Sequence, residues 1–234
     1  YYNISFNIFQ GKLLVKKFCP CDNLVIERLV MANTLVYLLD GKIYINLTNR
    51  CTNDCIFCLR KDKNDVKGQE LWLDNENSTA DDVIQQFKKF ELTKEVIFCG
   101  YGEPMMKLDV LKETAKYIKD NYPQTKIRVN TNGHANFVYK RNVVPELKGL
   151  VDEFSVSLNG ATKEEYDELS RPKFTEAYEE MKKFIKACSD EGISVTASVV
   201  EGYKGRHLDL EKCEKIANDL GAKFRVREWI VNGY

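Results

Sequence analysis

The chain has 234 residues, 44% hydrophobic and 30% charged, enough to bury a sizeable core as one domain or two small ones. Thirty-five Lys and Arg residues balance thirty-five Asp and Glu, so no global charge points to a nucleic-acid or membrane partner, and no apolar run approaches the ~20 residues of a membrane-spanning helix. Eight cysteines in a chain this long and this charged fit a metal site in a reducing, cytoplasmic setting better than a disulfide scaffold, which is usually short.

Residue 1 is Tyr, and residues 1–30 show no clean period. They are expected to be an N-terminal extension, a translated upstream region, with the native domain running over 31–234 from Met31. Glu27-Arg28 fits a purine-rich ribosome-binding sequence just ahead of such a start, and the C-x-C pair Cys19 and Cys21 reads as incidental. From Met31 onward β-rich and helical runs alternate. Leu35 to Leu39, then Asp-Gly, then Lys42 to Asn46 predicts a small N-terminal hairpin. Its second arm leads into a loop with Cys51, Cys55 and Cys58. Ser78 to Asp82 opens a helix with acids in its first turn, followed by Val83, Ile84, Phe87 and Phe90 at helical spacing.

The run 95–99 predicts a buried strand ending in G-Y-G-E-P, and a helix follows with Leu108, Leu111, Ala115 and Ile118 on one face. A strand at 126–130 ends in T-N-G, and 143–150 makes a short helix that tolerates Pro in its first turn. A strand at 154–158 ends in N-G. Helices are expected over 162–169 and 174–188, a strand over 193–200, a helix over 210–221 and a last strand over 223–230. Six strands from Ile43 alternate with helices, so the fold class is α/β. A partial (β/α)6 TIM-like barrel of parallel strands with a small N-terminal hairpin is expected, an open doubly wound sheet being the other arrangement of such units. The polar and glycine-rich stretches recur at the carboxyl ends of strands, where parallel α/β folds build their sites.

The three cysteines are spaced C-x-x-x-C-x-x-C. Three thiolates on a four-iron cubane leave one iron open to a small molecule. Zinc is the competing ligand, completed by His134, His207 or Cys99, but a second cysteine knuckle is missing. On spacing alone both stay open.

The cysteine loop after the first strand, with aromatic Phe57 just before its last cysteine, resembles the radical S-adenosylmethionine (SAM) superfamily, and G-Y-G-E-P resembles its G-G-E-P segment. The resemblance covers about Ile43 to Ile230. It is nearest to the radical SAM proteins associated with TatD-family hydrolases, on the runs Y-I-N-L-T-N-R-C-T-N-D-C-I-F-C-L-R, L-W-L-D, F-C-G-Y-G-E-P and V-P-E-L.

The resemblance implies a 4Fe-4S cluster on Cys51, Cys55 and Cys58, with S-adenosyl-L-methionine chelating the fourth iron. One electron through the cluster then cleaves the sulfonium, and a 5′-deoxyadenosyl radical takes hydrogen from a substrate. It implies a reductase, flavodoxin or ferredoxin as electron donor and a TatD-type hydrolase as partner. The alternative is a cluster- or zinc-binding accessory module that does not cleave SAM.

Phe57 is expected to shield the cluster, and Gly100, Tyr101, Gly102 and Glu103 to meet the cofactor's amino group, although Tyr101 departs from the usual second glycine. Asn130, Thr131, Asn132, Ser157 and Asn159 are expected at the ribose or carboxylate, and Val199 with Val200 at adenine. Trp229 is a further candidate to pack on adenine. His134, Asn136, Arg141, Arg171 and Lys173 are weaker candidates for an anionic substrate. Cys99, Cys188 and Cys213 fall on apolar patterns and read as core thiols.

Overall fold

The computed structural model describes residues 3–9, 12–18, 26–30, 33–61, 63 and 65–229. Cys19, Cys21 and Met31 lie outside them. Strands β1 (Asn3–Phe9), β2 (Lys12–Phe18) and β3 (Ile26–Val30) form a three-stranded antiparallel sheet in that order. β4 (Val36–Leu39) and β5 (Lys42–Ile45) form the expected hairpin, turned by Asp40 and Gly41, both at positive φ. The short ribbon β6 (Asp65–Val66) and β7 (Gln69–Glu70) follows the cysteine loop.

Helix α1 (Ala80–Phe87) starts at a capping box, with Thr79 Oγ1 accepting from the Asp82 amide and Asp82 accepting from the Thr79 amide. Then come β8 (Glu95–Phe98), α2 (Leu108–Asn121), β9 (Lys126–Thr131), α3 (Ala135–Tyr139), β10 (Glu153–Ser157), α4 (Lys163–Ser170), α5 (Ala177–Asp190), β11 (Ser194–Glu201), α6 (Leu210–Asp219) and β12 (Lys223–Glu228). The predicted helix over 143–150 is a 3-10 turn at Val144–Leu147.

The main sheet has the order β12-β11-β10-β9-β8-β5-β4. From β5 to β12 every pairing is parallel, and only the β4 edge is antiparallel. This is the partial (β/α)6 barrel that the alternation of elements predicts.

Alternation along each strand sorts the side chains onto two faces. Val96, Phe98, Ile127, Val129, Phe154, Val156, Val195 and Ala197 pack with Leu111, Ile118, Met181 and Phe184 of the helices in one core. Full burial of each such side chain contributes roughly 2 kcal/mol. The opposite face lines the barrel and is mostly polar, with Asn130, Ser155, Ser157, Thr196 and Ser198 upon it. Its lower end is filled by charge pairs, Arg128 with Glu95 at 3.1 Å and Lys42 with Glu95 at 2.7 Å. The upper end, at the carboxyl ends of the strands, is open.

Candidate functional site

β5 runs through Asn46 and Thr48 into the cysteine loop, which is anchored on several sides. Asn49 Nδ2 donates to the Leu73 carbonyl at 2.8 Å and its Oδ1 accepts from the Leu73 amide at 3.1 Å. The Arg60 guanidinium donates to the carbonyls of Asn49 and Asn53, both at 3.0 Å. The segment after α4 forms a second rail: the Asp54 amide donates to the Ser170 carbonyl at 3.0 Å, Ile56 to Leu169 at 2.9 Å, and Lys173 to Thr52 at 2.9 Å. Behind the loop, His134 Nδ1 lies 2.8 Å from Thr52 Oγ1 and its Nε2 lies 2.8 Å from the Tyr166 hydroxyl. Burial pushes His134 down to about 4, so the ring is neutral at physiological pH.

The G-Y-G-E-P turn meets this loop backbone to backbone. A Cβ on Gly102 would lie 2.2 Å from the Thr48 carbonyl oxygen and 2.7 Å from that of Arg50, so only glycine fits there. The next residue seals the junction, its amide donating to the Arg50 carbonyl at 2.8 Å. The Glu103 carboxylate is buried and accepts from Thr131 Oγ1 at 2.7 Å, the Asn132 amide at 2.7 Å and the Met105 amide at 3.1 Å. Burial raises its pKa, and those three donors oppose the shift. Asn132 in turn donates from Nδ2 to Thr52 Oγ1 at 2.7 Å and to Cys51 Sγ at 3.6 Å.

A cavity of about 390 Å³ opens over these elements. Cys51, Cys55 and Cys58 line it together with Phe57, Gly100, Tyr101, Gly102, Glu103, Asn130, Thr131, Asn132, Ser157 and Asn159. The residues expected to hold the cluster and the cofactor therefore line one cavity, apart from Val199. Val199 packs in the core on the helix side, and Val200 lines the cavity in its stead. The reason is strand alternation, since Val200 shares its face with Thr196 and Ser198 while Val199 shares its own with Val195 and Ala197.

Thr131 and Asn132 act on Glu103 and on the cysteine loop with their polar groups. Asn159, at positive φ, donates to Ser170 Oγ at 3.2 Å. His134 is behind the loop, Asn136 donates to Asn142 Oδ1 and accepts from the Val143 amide, Arg141 pairs with Glu146, and the Arg171 and Lys173 side chains are exposed. None of these five lines the cavity. Cys188 and Cys213 are core thiols as expected, whereas Cys99 lines the cavity, one residue past β8. Arg227 on β12 lines it too and was absent from the sequence reading. Its alternation with Trp229, a residue singled out from sequence, was the available signal.

The chemistry of the donor set fits an iron–sulfur cluster, whose irons favour soft thiolates. Among the described residues no three Cys, His, Asp or Glu side chains converge closely enough to hold one metal ion. A cubane asks for less convergence, because each thiolate meets a different iron. Without metal, burial followed by the nearby Glu103 pushes Cys51 up to about 11, and burial followed by Cys51 pushes Cys55 up to about 12. The polar lining fits the second cofactor. Oδ1 of Asn53, Asn130 and Asn159 are each buried without a hydrogen-bond partner, at a typical cost of ~1–3 kcal/mol per group. All three residues line the cavity, and a ligand carrying an ammonium and ribose hydroxyls supplies the missing donors.

The family profile described as the Radical SAM superfamily matches residues 45–220, about three quarters of the chain. The chain belongs to the radical SAM superfamily. It is thereby assigned to a class of enzymes whose members share a partial TIM barrel, the fold seen here. Solved structures agree on that fold. Streptococcus suis SuiB bound to S-adenosylmethionine superposes with a TM-score of 0.61 at 18% identity, over 83% of this chain and 42% of that one. A radical SAM methyltransferase from Sphaerobacter thermophilus gives 0.51 at 13% identity, over 97% and 77%. Methylornithine synthase gives 0.52 at 13% identity, over 81% and 53%. An uncharacterized protein of Methanocaldococcus jannaschii is 24% identical over 137 residues, 58% of this chain and 44% of that relative, so the match spans less than half of the relative's length. Among the described residues, no helix of this radical SAM chain is long and apolar enough to cross a membrane.

Proposed function

We propose that the protein is a radical SAM enzyme whose 4Fe-4S cluster is held by Cys51, Cys55 and Cys58 and whose fourth iron takes S-adenosyl-L-methionine. The observation that carries this reading is the convergence on one cavity of three loop thiols, a glycine-permitted backbone turn and three orphaned amide oxygens. When bound, cluster and cofactor supply a reductively generated 5′-deoxyadenosyl radical that takes hydrogen from a substrate. The chain's own residues hold the thiols and orient the cofactor. The rails at residues 49, 52–56 and 73 preset the loop. Gly102 and Glu103 bring the second strand's turn to it, and Ser157, Asn130 and Asn159 present acceptors from neighbouring strands.

The test is anaerobic reconstitution followed by dithionite. A brown protein with about four irons per chain that forms 5′-deoxyadenosine and methionine supports the proposal. A colourless protein with stoichiometric zinc favours a binding module, and a cluster whose EPR signal ignores SAM favours an electron-transfer or sensor module. Either result overturns the catalytic reading.

The proposal extends to a cytoplasmic setting, a flavodoxin, ferredoxin or reductase as electron donor, and membership of the TatD-associated group with a TatD-type hydrolase as partner. The runs L-W-L-D, F-C-G-Y-G-E-P and V-P-E-L support the last point. Co-purification of such a hydrolase with the natively expressed protein tests it, and an isolated chain at native abundance counts against it.

A further inference from the structure

Part of the cavity wall is left unclaimed by cluster and cofactor. Tyr37 and Leu39 on β4, Val66 on the β6–β7 ribbon, Leu71 and Tyr101 form a small cluster of buried side chains separate from the main core. All five line the cavity. Tyr37 stacks on Tyr44 of β5, with ring centroids 5.3 Å apart and planes 27° apart. Two polar groups are set against this apolar wall. The first is the Tyr101 hydroxyl, on a side chain only 7% exposed, which is buried without a hydrogen-bond partner. A phenylalanine would pack there without that penalty, and a glycine would match the family motif, so the oxygen answers to neither packing nor cofactor contact. The second is Arg227, which lines the same cavity from β12, the opposite edge strand of the sheet, next to Glu228.

Cys99 relates the two sides of the cavity: Tyr37 donates its hydroxyl to the Cys99 carbonyl at 3.0 Å, and burial pushes the Cys99 thiol up, a shift that Asn130 and Arg227 oppose. An apolar, ring-lined pocket with a few placed polar groups is the usual form of a small-molecule site.

We propose, resting on the radical SAM reading, that this wall is the substrate pocket and that the substrate is an organic anion with an aromatic or branched apolar body. The body lies against Tyr37, Val66 and Leu71, the Tyr101 hydroxyl bonds a polar atom on it, and Arg227 takes the carboxylate or phosphate ester. A guanidinium binds either anion through paired N–H donors.

The experiment is ligand-observed NMR titration of the reconstituted protein with SAM present, under anaerobic conditions. The probes are 3-phenylpropionate, phenyl phosphate and the neutral 3-phenylpropan-1-ol. The wild type is expected to bind the better of the two anions about tenfold more tightly than the alcohol, and which anion is better identifies carboxylate or phosphate ester as the natural group. Arg227→Gln should bring anion and alcohol to within about twofold, while Arg227→Lys keeps most of the preference. A fourth probe, 3-(4-hydroxyphenyl)propionate, carries a polar atom on its body, and Tyr101→Phe should weaken it by about three- to tenfold while leaving 3-phenylpropionate within about twofold and the unfolding midpoint unlowered, a combination that a structural role would not produce.

Equal binding of acid and alcohol by the wild type overturns the proposal, as does an unchanged preference in Arg227→Gln. A loss confined to SAM affinity in Arg227→Gln also overturns it, because it assigns Arg227 to the cofactor. 5′-Deoxyadenosine formation by the wild type, measured on the same preparation, keeps a failure here distinct from a failure of the radical SAM reading.

Discussion

Replacement of Gly102 by alanine tests whether the cysteine loop and the G-Y-G-E-P turn form one unit. The new Cβ would lie 2.2 Å from the Thr48 carbonyl oxygen and 2.7 Å from that of Arg50, and real Cβ atoms essentially never approach within 3.0 Å. Both obstacles are backbone, so no side-chain rotation relieves them and the two segments must part by nearly an ångström. Overpacking of this kind costs about 1–3 kcal/mol. Parting also stretches the 2.8 Å bond from the Glu103 amide to Arg50, worth ~1 kcal/mol. Together these give roughly 2–4 kcal/mol, a large share of the ~5–15 kcal/mol that stabilises a typical domain.

With a denaturant slope of about 2 kcal/mol/M, the urea midpoint of the metal-free protein should fall by about 1–2 M, read by tryptophan fluorescence. Iron retained after reconstitution should fall with it, because Cys51 follows directly on the displaced carbonyls. Gly100→Ala is the contrasting case, its Cβ meeting the Asn46 side chain at 2.0 Å. Rotation of that side chain clears Oδ1 and gives up its bonds to the Leu71 carbonyl at 2.7 Å and the Thr34 carbonyl at 3.3 Å, while the Asn46 Cβ, 2.8 Å away, needs a backbone shift of only a few tenths of an ångström, so a loss of about 1–3 kcal/mol is expected. A Gly102→Ala protein that unfolds within about 0.3 M of wild type and binds a full cluster would refute the reasoning.

Serine at Cys51, Cys55 or Cys58 should each abolish the brown chromophore and SAM cleavage, while serine at core Cys188 or Cys213 should leave iron content unchanged; iron analysis separates the two sets. Cys99→Ser should retain about four irons per chain, and loss of one iron would make Cys99 a ligand. His134 has a folded pKa of about 4 against ~6.5 when unfolded, so the unfolded chain takes the proton first. Stability is therefore complete above about pH 6.5 and is lost as the pH falls towards 4, by up to about 3 kcal/mol. A His134→Asn protein should lack that segment of the urea-midpoint profile, and identical profiles would remove His134 from the account.

The six parallel strands were legible because each is a short β-branched or aromatic run that ends in polar and glycine-rich sequence, with a helical period between. The β6–β7 ribbon was not, since its two-residue arms lie in a lysine- and aspartate-rich stretch with no period. Helix α3 spans only Ala135–Tyr139 and follows directly on a strand end, too short to show a helical period. Val199 was named together with Val200 because the run S-V-T-A-S-V-V ends in two valines, and only Val200 shares the cavity face with Thr196 and Ser198. The tie from Glu103 to Thr131 and Asn132 joins residues 28 and 29 positions apart and has no local signature. Cys99 sits after Val96, Ile97 and Phe98, so its hydropathy alone suggested a core thiol, although it lies just past the strand's carboxyl end.

The three-cysteine loop makes sense only against what surrounds it. A fourth ligand would have to come from a Cys or His, and the described candidates are nearly all committed elsewhere. Cys188 and Cys213 lie on the helix side of the sheet. His134 has both ring nitrogens engaged by hydroxyls behind the loop, and His207 lies against Glu201 at 2.6 Å, with its side chain 80% exposed. Among the described Cys and His residues outside the loop, Cys99 alone lines the same cavity, its carbonyl accepting from Tyr37 and its thiol bonded to Asn130. Of the cavity-lining polar atoms that lack partners, the Tyr101 hydroxyl aside, Oδ1 of Asn53, Asn130 and Asn159 are acceptors, and they suit a donor-rich molecule. The three loop thiols and the partnerless acceptors of the barrel thus line one cavity, and the proposed cluster with its amino acid- and ribose-bearing cofactor would engage both.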